Sequence, residues 1–305
     1  MASRWRFHEA EVTMPEVATT PHHVLVCGVG GITGDAVSTA LADEGFAVRA
    51  LVHRTERTDA ALATGASHVV VADYDDAPSL AHALDGMDAV FFVAPSYLEA
   101  EPRWVEATLE AARLAGVGRF VYQSVLHAYT PTMPHHERKA RAEVAVRASG
   151  LDWTVLQPAM YAQTVLRIRA RSGDGRIDAP YDPEARFAVV DVCDVGAAVA
   201  AVLGDARHVY GGYELVGTEA HTLRELVAIM NRGFGEERNI FEVAPHSLPL
   251  PSTWSERQRE EYALMCEEYG RHGLLGSRAA LTALLGRSPA DFAEVVERAA
   301  GGALR

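Results

Sequence analysis

HVLVCGVGGITGDAVSTALADEG, residues 23–45, is the stretch whose reading decides the fold. Its first five residues form a short apolar run without polar alternation, as expected of a strand buried on both faces. Gly28-Val29-Gly30-Gly31-Ile32-Thr33-Gly34 follows at once, and a helical run then reaches about Glu44 and is closed by Gly45. In that setting Gly28 permits a tight turn, Gly31 lets backbone N–H groups approach a pyrophosphate, and Gly34 allows close packing of helix on strand. Ile32 and Thr33 belong to the same cradle, and the helix N-terminus adds a partial positive charge suited to an anion.

Outward from this turn the alternation continues. Apolar runs at 47–52, 68–72, 89–93, 119–124 and 153–156 read as further strands, and the segments 58–63, 79–84, 101–115 and 135–149 as the helices between them. Strands alternating with helices predict an α/β, doubly wound parallel Rossmann sheet. Past Pro158 the rhythm loosens. Short strands are expected at 187–190 and 213–216, helices at 195–203 and 223–230, and a helical, polar-rich pattern from 252 to 300. The division expected is a mobile leader over 1–21, within which Met14 offers an alternative start, a dinucleotide-binding domain over 22–158, and a smaller, mostly helical C-terminal lobe over 159–305, part of it returning to the sheet. Such a lobe would cap the carboxyl edge of the strands, where ligands of open α/β sheets bind.

Composition removes other classes. The 305 residues are 49% hydrophobic and carry a formal charge of −13. That is ample apolar material for a core and a poor charge for holding nucleic-acid phosphates. No apolar run approaches the ~20 residues a bilayer span requires, and residues 1–20 lack the apolar centre of a secretory signal. Cys27, Cys193 and Cys266 form neither a ligand pair nor a disulfide framework, and no metal site is expected. A cytoplasmic protein acting on a small molecule follows, with its oligomeric state open. One of the 28 basic residues is a lysine, Lys139, and the other 27 are arginines. With no Gly-Lys-Ser/Thr there is no Walker-type phosphate loop, and any chemistry that needs an amine runs through Lys139.

The second strand ends in His53-Arg54, with Arg57 close behind. A basic group there accommodates a 2′-phosphate, so NADP(H) is expected with Arg54 on the phosphate; NAD(H) stays open, because loop arginines are also ordinary solvated residues. Asp73 is placed to accept from the adenine amino group, while Asp75 and Asp76 read as solvated turn residues. Ser124 ends the fifth strand, where it can approach the nicotinamide or substrate or serve as a structural strand end, and past it come His127, Tyr129, His135, His136 and Lys139. On a helix, His135 and His136 lie one turn before Lys139. His135-x-x-x-Lys139 resembles the Tyr-x-x-x-Lys of short-chain dehydrogenases, with histidine in the tyrosine's place. His136 reads as a surface residue. No asparagine precedes Asn231, so the full asparagine-serine-tyrosine-lysine set is absent, and neither HExxH nor Gly-x-Ser-x-Gly occurs.

With the glycine turn, the stretches VRALVHR (48–54), VFFVAP (90–95), YQSVLH (122–127), HHERKARAEVAVRASGLDWTVLQPAMY (135–161) and YGRHGLLGSRAALTALLGRSPADF (269–292) resemble the NmrA-like family of atypical short-chain dehydrogenase/reductases. The resemblance covers roughly 22 to 300 and is most specific over 135–161. It implies Gly28, Gly31 and Gly34 on the pyrophosphate, Lys139 at the nicotinamide ribose, and Ala94-Pro95 and Gln157-Pro158-Ala159 along the nicotinamide. Two departures stand out: Gly30 replaces a frequent threonine, and His53 takes the place of the family's basic residue, displacing the arginine to Arg54.

The family holds both reductases and dinucleotide sensors without turnover. The reading favoured here is an NADPH-dependent reductase of a small, largely apolar carbonyl, enone or quinone-type compound. The alternatives are an NAD(P)-sensing regulator and a non-redox enzyme of dehydratase or cyclase type. For the proton donor His127 ranks first, ahead of Tyr129, His135 and Tyr161. Met160, Tyr161, Trp254, Tyr262, Met265 and Tyr269 either line the pocket or pack as plain core.

Overall fold

The computed structural model describes residues 20–173 and 175–302. The expected leader therefore falls, as far as residue 19, outside the described residues. Up to the sixth strand the chain runs β1 (His23–Cys27), α1 (Ile32–Asp43), β2 (Ala47–Val52), α2 (Thr58–Leu62), β3 (His68–Val71), α3 (Ala77–Leu84), β4 (Ala89–Phe92), α4 (Glu101–Ala115), β5 (Arg119–Gln123), α5 (Pro134–Arg147) and β6 (Asp152–Pro158). Beyond it come β7 (Met160–Tyr161), α6 (Ala162–Arg171), β8 (Arg176–Ala179), β9 (Arg186–Phe187), β10 (Val189–Val190), α7 (Val192–Gly204), β11 (Gly211–Leu215), β12 (His221–Thr222), α8 (Leu223–Phe234), β13 (Asn239–Glu242), α9 (Glu256–His272), α10 (Ala279–Leu285) and α11 (Phe292–Ala300).

One parallel sheet of seven strands, in the order β11-β6-β5-β4-β1-β2-β3, organises the molecule. Successive side chains of a strand point to opposite faces, so each inner strand feeds two cores. Val24, Val26, Phe91 and Val121 face α1 and α7, whereas Leu25, Cys27, Phe92, Phe120 and Tyr122 face the α3–α5 side. Strand order reverses between β1 and β4. The crevice of a doubly wound sheet opens at that point, and the loops after β1 and β4 flank it.

α1 and α7 lie backbone against backbone: a methyl on Gly196 would fall 2.6 Å from the Ala36 carbonyl oxygen. The C-terminal segment is clasped to α7 by two buried aspartates. Asp191 caps α7 and binds Gln163 and Arg298, and Asp194 accepts from Arg287 (2.6 Å) and from the Ala290 amide (2.7 Å). The single strand expected over 187–190 is two. The Leu274 carbonyl takes the Ala188 amide at 2.8 Å, so β9 pairs with β12 and β10 with β7. The α6 helix and the β8–β13 pair were not anticipated by the periodicity, being short and only half apolar. No helix among the described residues is long and apolar enough to cross a membrane.

Candidate active site

The glycine turn leaves no room for a side chain at Gly28 or Gly34. Gly28 has φ +89°, and a Cβ there would lie 2.6 Å from Val93 Cγ1 and 2.9 Å from the Val93 carbonyl oxygen. A Cβ on Gly34 would lie 2.1 Å from the Gly28 carbonyl oxygen. Gly31 caps α1 without any side-chain hydrogen bond, so the first amides of that helix are left for an anion. Gly30 has φ +91°, a conformation that strains any other residue, which accounts for the missing threonine. Its amide donates to Asp35 at 2.7 Å.

Two exposed arginines stand beside this turn with no ion pair among the described residues, Arg54 and Arg57. Arg57 comes closer: its Cδ lies 3.9 Å from where a Gly30 Cβ would be. His53 instead packs its ring on Tyr74 and Trp104, at 5.0 and 5.7 Å between centroids. Asp73 is exposed and takes the Asp75 amide on one oxygen, leaving the other free of protein partners. Asp75 departs from the expectation of a solvated turn residue, because Arg103 and Trp104 both donate to it and hold its carboxyl below the usual range.

Across the crevice, Ala94 is half-buried and Pro95 exposed in the loop after β4. Ser124, at the end of β5, is 3% exposed, and its hydroxyl has no partner. Neither does the Gln123 side-chain oxygen, although the Gln123 amide nitrogen donates to the Tyr161 hydroxyl at 2.5 Å. Thr33 donates to the same hydroxyl at 3.1 Å, so Tyr161 ties the first turn of α1 to the end of β5. Burial raises its pKa, against the lowering effect of those two bonds. The Lys139 ammonium lies 2.7 Å from Glu101 and 3.5 Å from the Gln123 carbonyl oxygen. One turn farther along α5, Glu143 is fully buried and collects Tyr129 (3.0 Å), Gln157 (2.7 Å) and Arg147 (3.2 Å). The side chains of Tyr129 and Gln157 are thus committed to Glu143, while Pro158 and Ala159 stay buried at the strand end.

His136 is fully buried rather than on the surface. It binds the His127 carbonyl (2.9 Å) and the Tyr269 hydroxyl (3.0 Å), and burial brings its pKa down to about 4. His135 is brought down to about 2, by burial first and only then by His136 and Lys139. Its Nδ1 has no partner, and its ring packs on Tyr97 at 4.8 Å. Tyr97, at φ +60°, touches Trp254, Tyr262 and Met265. Arg138 pairs with Glu261 between α5 and α9. The C-terminal helix therefore closes on the loop after β4 and on the head of α5, bringing Trp254, Tyr262, Met265 and Tyr269 together. Met160 is buried in the same core. His127 is exposed at the sheet edge with φ +58°, its carbonyl pinned by His136 and Thr130.

Glu101, Tyr97, Gln123 and Glu143 escaped the sequence reading. An acid in a first helical turn, or within a charged helix, looks like a routine helix residue, and only the fold shows these to be buried. Cavities of about 690 Å³, between α3 and α4, and about 1100 Å³, between β13 and α9, touch neither the glycine turn nor Lys139. No metal-holding group of His, Cys, Asp and Glu occurs among the described residues.

A profile of the NmrA-like family matches residues 20–292. The (4-alkanoyl-5-oxo-2,5-dihydrofuran-3-yl)methyl phosphate reductase of Streptomyces griseus is 36% identical over 218 residues, 70% of this chain and 74% of that protein. An NADPH-dependent quinone oxidoreductase of Escherichia coli, crystallised with NADPH, superposes with a TM-score of 0.78 at 25% identity, over 90% of this chain and 99% of its own. The negative transcriptional regulator NmrA, solved with NAD, shares the fold at a TM-score of 0.75 and 18% identity, over 92% of this chain and 95% of its own.

Proposed function

The chain belongs to the NmrA-like family, and from that premise we propose that it is an NADPH-dependent reductase of a small, largely apolar enone or quinone-type compound. One observation carries the reading. A cradle closed to Cβ atoms at Gly28 and Gly34 is joined through the Tyr161 hydroxyl, which takes Thr33 and Gln123, to the end of β5, where the buried Ser124 hydroxyl lacks a protein partner, as does His135 Nδ1 one turn before the only lysine. The reductases among its relatives support the same class, through the furanone phosphate of one name and the quinone of another.

The residues present fit a phosphorylated dinucleotide. Gly28, Gly31, Ile32, Thr33 and Gly34 would hold the pyrophosphate, Arg57 and Arg54 the 2′-phosphate, and Asp73 the adenine. Ala94, Pro95, Ser124, Pro158 and Ala159 would line the nicotinamide, with Lys139 on its ribose. When bound, the reduced nicotinamide supplies a hydride. The chain's own part is to steady the negative charge that then develops on the acceptor's oxygen. Ser124 offers an O–H and His135, in its Nδ1–H tautomer, an N–H; with a pKa near 2 the imidazole stays neutral and acts as a fixed donor. Lys139 adds a positive charge one helical turn away.

These groups suit some acceptors better than others. A simple ketone becomes a strongly basic alkoxide and needs an acid that titrates near neutrality. The histidine in the tyrosine's place is pushed far below that range, and the Tyr161 phenol above its usual value. An enone or quinone becomes a delocalised enolate or phenolate, which hydrogen bonds hold until solvent protonates it. NADPH oxidation across quinones, acyl-substituted unsaturated lactones and saturated ketones tests this. Turnover of the conjugated compounds, at least about a hundredfold above the saturated ones, is expected. Tight NADPH binding with no turnover of any would overturn the reductase in favour of a sensor.

A further inference from the structure

Glu101 opens α4, and the dinucleotide reading gives it no task. Its carboxylate is 3% exposed. One oxygen, Oε1, accepts both Lys139 Nζ at 2.7 Å and the Tyr122 hydroxyl at 2.8 Å. Lys139 is nearly as enclosed, its side chain 12% exposed, with the Tyr122 ring 5.7 Å from its nitrogen. Burying a carboxylate and an ammonium is costly unless each meets the other in good geometry. His135 and His136 precede Lys139 by one turn of α5, their pKa values lowered first by burial, and the Tyr122 phenol on β5 is raised by burial and by Glu101. Glu143, the next acid along α5, is occupied by Tyr129, Gln157 and Arg147. Among the described residues Glu101 is the one carboxylate in contact with Lys139.

We propose that Glu101 is a positioning residue for Lys139: it fixes the ammonium at the end of β5, so that a remaining N–H is presented to the dinucleotide ribose. This rests on the site being a nicotinamide site. Three N–H bonds suffice for the arrangement, one to Glu101, one to the Gln123 carbonyl and one for the ligand. The start of α4 favours the carboxylate as an anion, since the helix N-terminus is partially positive, and Tyr122 donates to it.

The single lysine makes the test direct, because protein labelled with 13C at lysine Cε gives one side-chain resonance. In the wild type that resonance is expected to move on saturation with NADPH. In Glu101→Gln that movement is expected to shrink to less than half, since the ammonium is no longer fixed at the strand end. NADPH affinity at pH 8 is expected to fall about tenfold. In a Lys139→Met background, Glu101→Gln is expected to cost less than a further twofold; a purely structural carboxylate would instead cost the same in both backgrounds. An undiminished response of the resonance to NADPH in Glu101→Gln, or additive losses, overturns the proposal. Glu101→Asp, whose carboxylate is one methylene short, carries the same comparison should the glutamine variant not fold. Wild-type protein that does not bind NADPH would sink the site reading itself, a result distinct from either.

Discussion

At the glycine turn the chain presents backbone, whereas at the junction of α4, β5 and α5 it presents buried side chains. The first site is defined by what is absent: Cβ atoms at Gly28 and Gly34 would overlap Val93 and the turn's own carbonyl. The second is defined by what is buried, namely Glu101, Ser124, His135, His136 and Glu143, each below a tenth exposed. A backbone cradle has no titrating groups and no rotamers, so it tolerates almost no substitution yet is indifferent to pH. A buried polar cluster is graded. Each member can be weakened separately, and protons compete with its geometry.

The hardest blow to the backbone end is Gly34→Val. With the Gly28 carbonyl carbon at 2.3 Å from even a first methyl, α1 must move off β1. Overpacking of this kind costs about 1–3 kcal/mol or more. Dinucleotide binding measured by calorimetry should fall at least a thousandfold, with a lower melting temperature. Near-normal binding would show that the anion is not held by the first turn of α1, and the contrast between the two ends would be lost.

Acid should strike only the other end. His136 and His135 ordinarily titrate near 6.5 and are held at about 4 and about 2. Well above pH 6.5 neither the folded nor the unfolded chain binds these protons, and the stability is fully present. As pH falls, the unfolded chain takes them up and the folded one cannot, so stability is lost progressively, by about 2 kcal/mol for each histidine at pH 5. Denaturant unfolding between pH 7.5 and 5 should show that slope, and His136→Gln should remove a large part of it. An unchanged slope in the variant would place the acid lability elsewhere.

The two ends also differ in how far the sequence reveals them. A strand, three spaced glycines and a helix are local, so residues 23–45 disclose both the first βα unit and its ligand class. The sixfold alternation gives the parallel sheet for the same reason. Lys139 stood out because the composition isolates it, yet its partner Glu101 lies 38 residues away on another helix and reads as a routine first-turn acid. His136 misled because α5 is polar overall; the tyrosine that buries it, Tyr269, comes from α9, 133 residues on. The split of 187–190 into two strands has the same origin, a carbonyl contributed by Leu274. Contacts across long sequence separations leave no period to read.

A smaller effect separates two arginines within the backbone end. Arg54 lies two residues past β2, but Arg57 is the one whose side chain crosses toward Gly30. Charge-assisted bonds to a phosphate on an exposed loop are worth about 1.4 kcal/mol, a factor of ten. Arg57→Ala should weaken NADPH about tenfold and leave NADH unchanged, with Arg54→Ala costing less. Equal losses for both dinucleotides would put Arg57 on the shared pyrophosphate instead of the 2′-phosphate.

The smallest effect is expected at His127, the residue that ranks first as a proton donor by position alone. The structure uses its carbonyl, which His136 and Thr130 both engage, and leaves its imidazole exposed at φ +58°. If the reduced acceptor is a delocalised anion held by Ser124 and His135, its proton comes from solvent and no side chain need titrate during turnover. His127→Ala should then change kcat with a quinone by less than about threefold. The wild-type profile should stay level from pH 6 to 8.5, since a donor with a matched pKa contributes about 10² or more. A hundredfold loss in His127→Ala, with an alkaline limb in the wild-type profile that vanishes in the variant, would return proton delivery to the protein. In that case the buried end of the crevice would not be complete without an exposed residue.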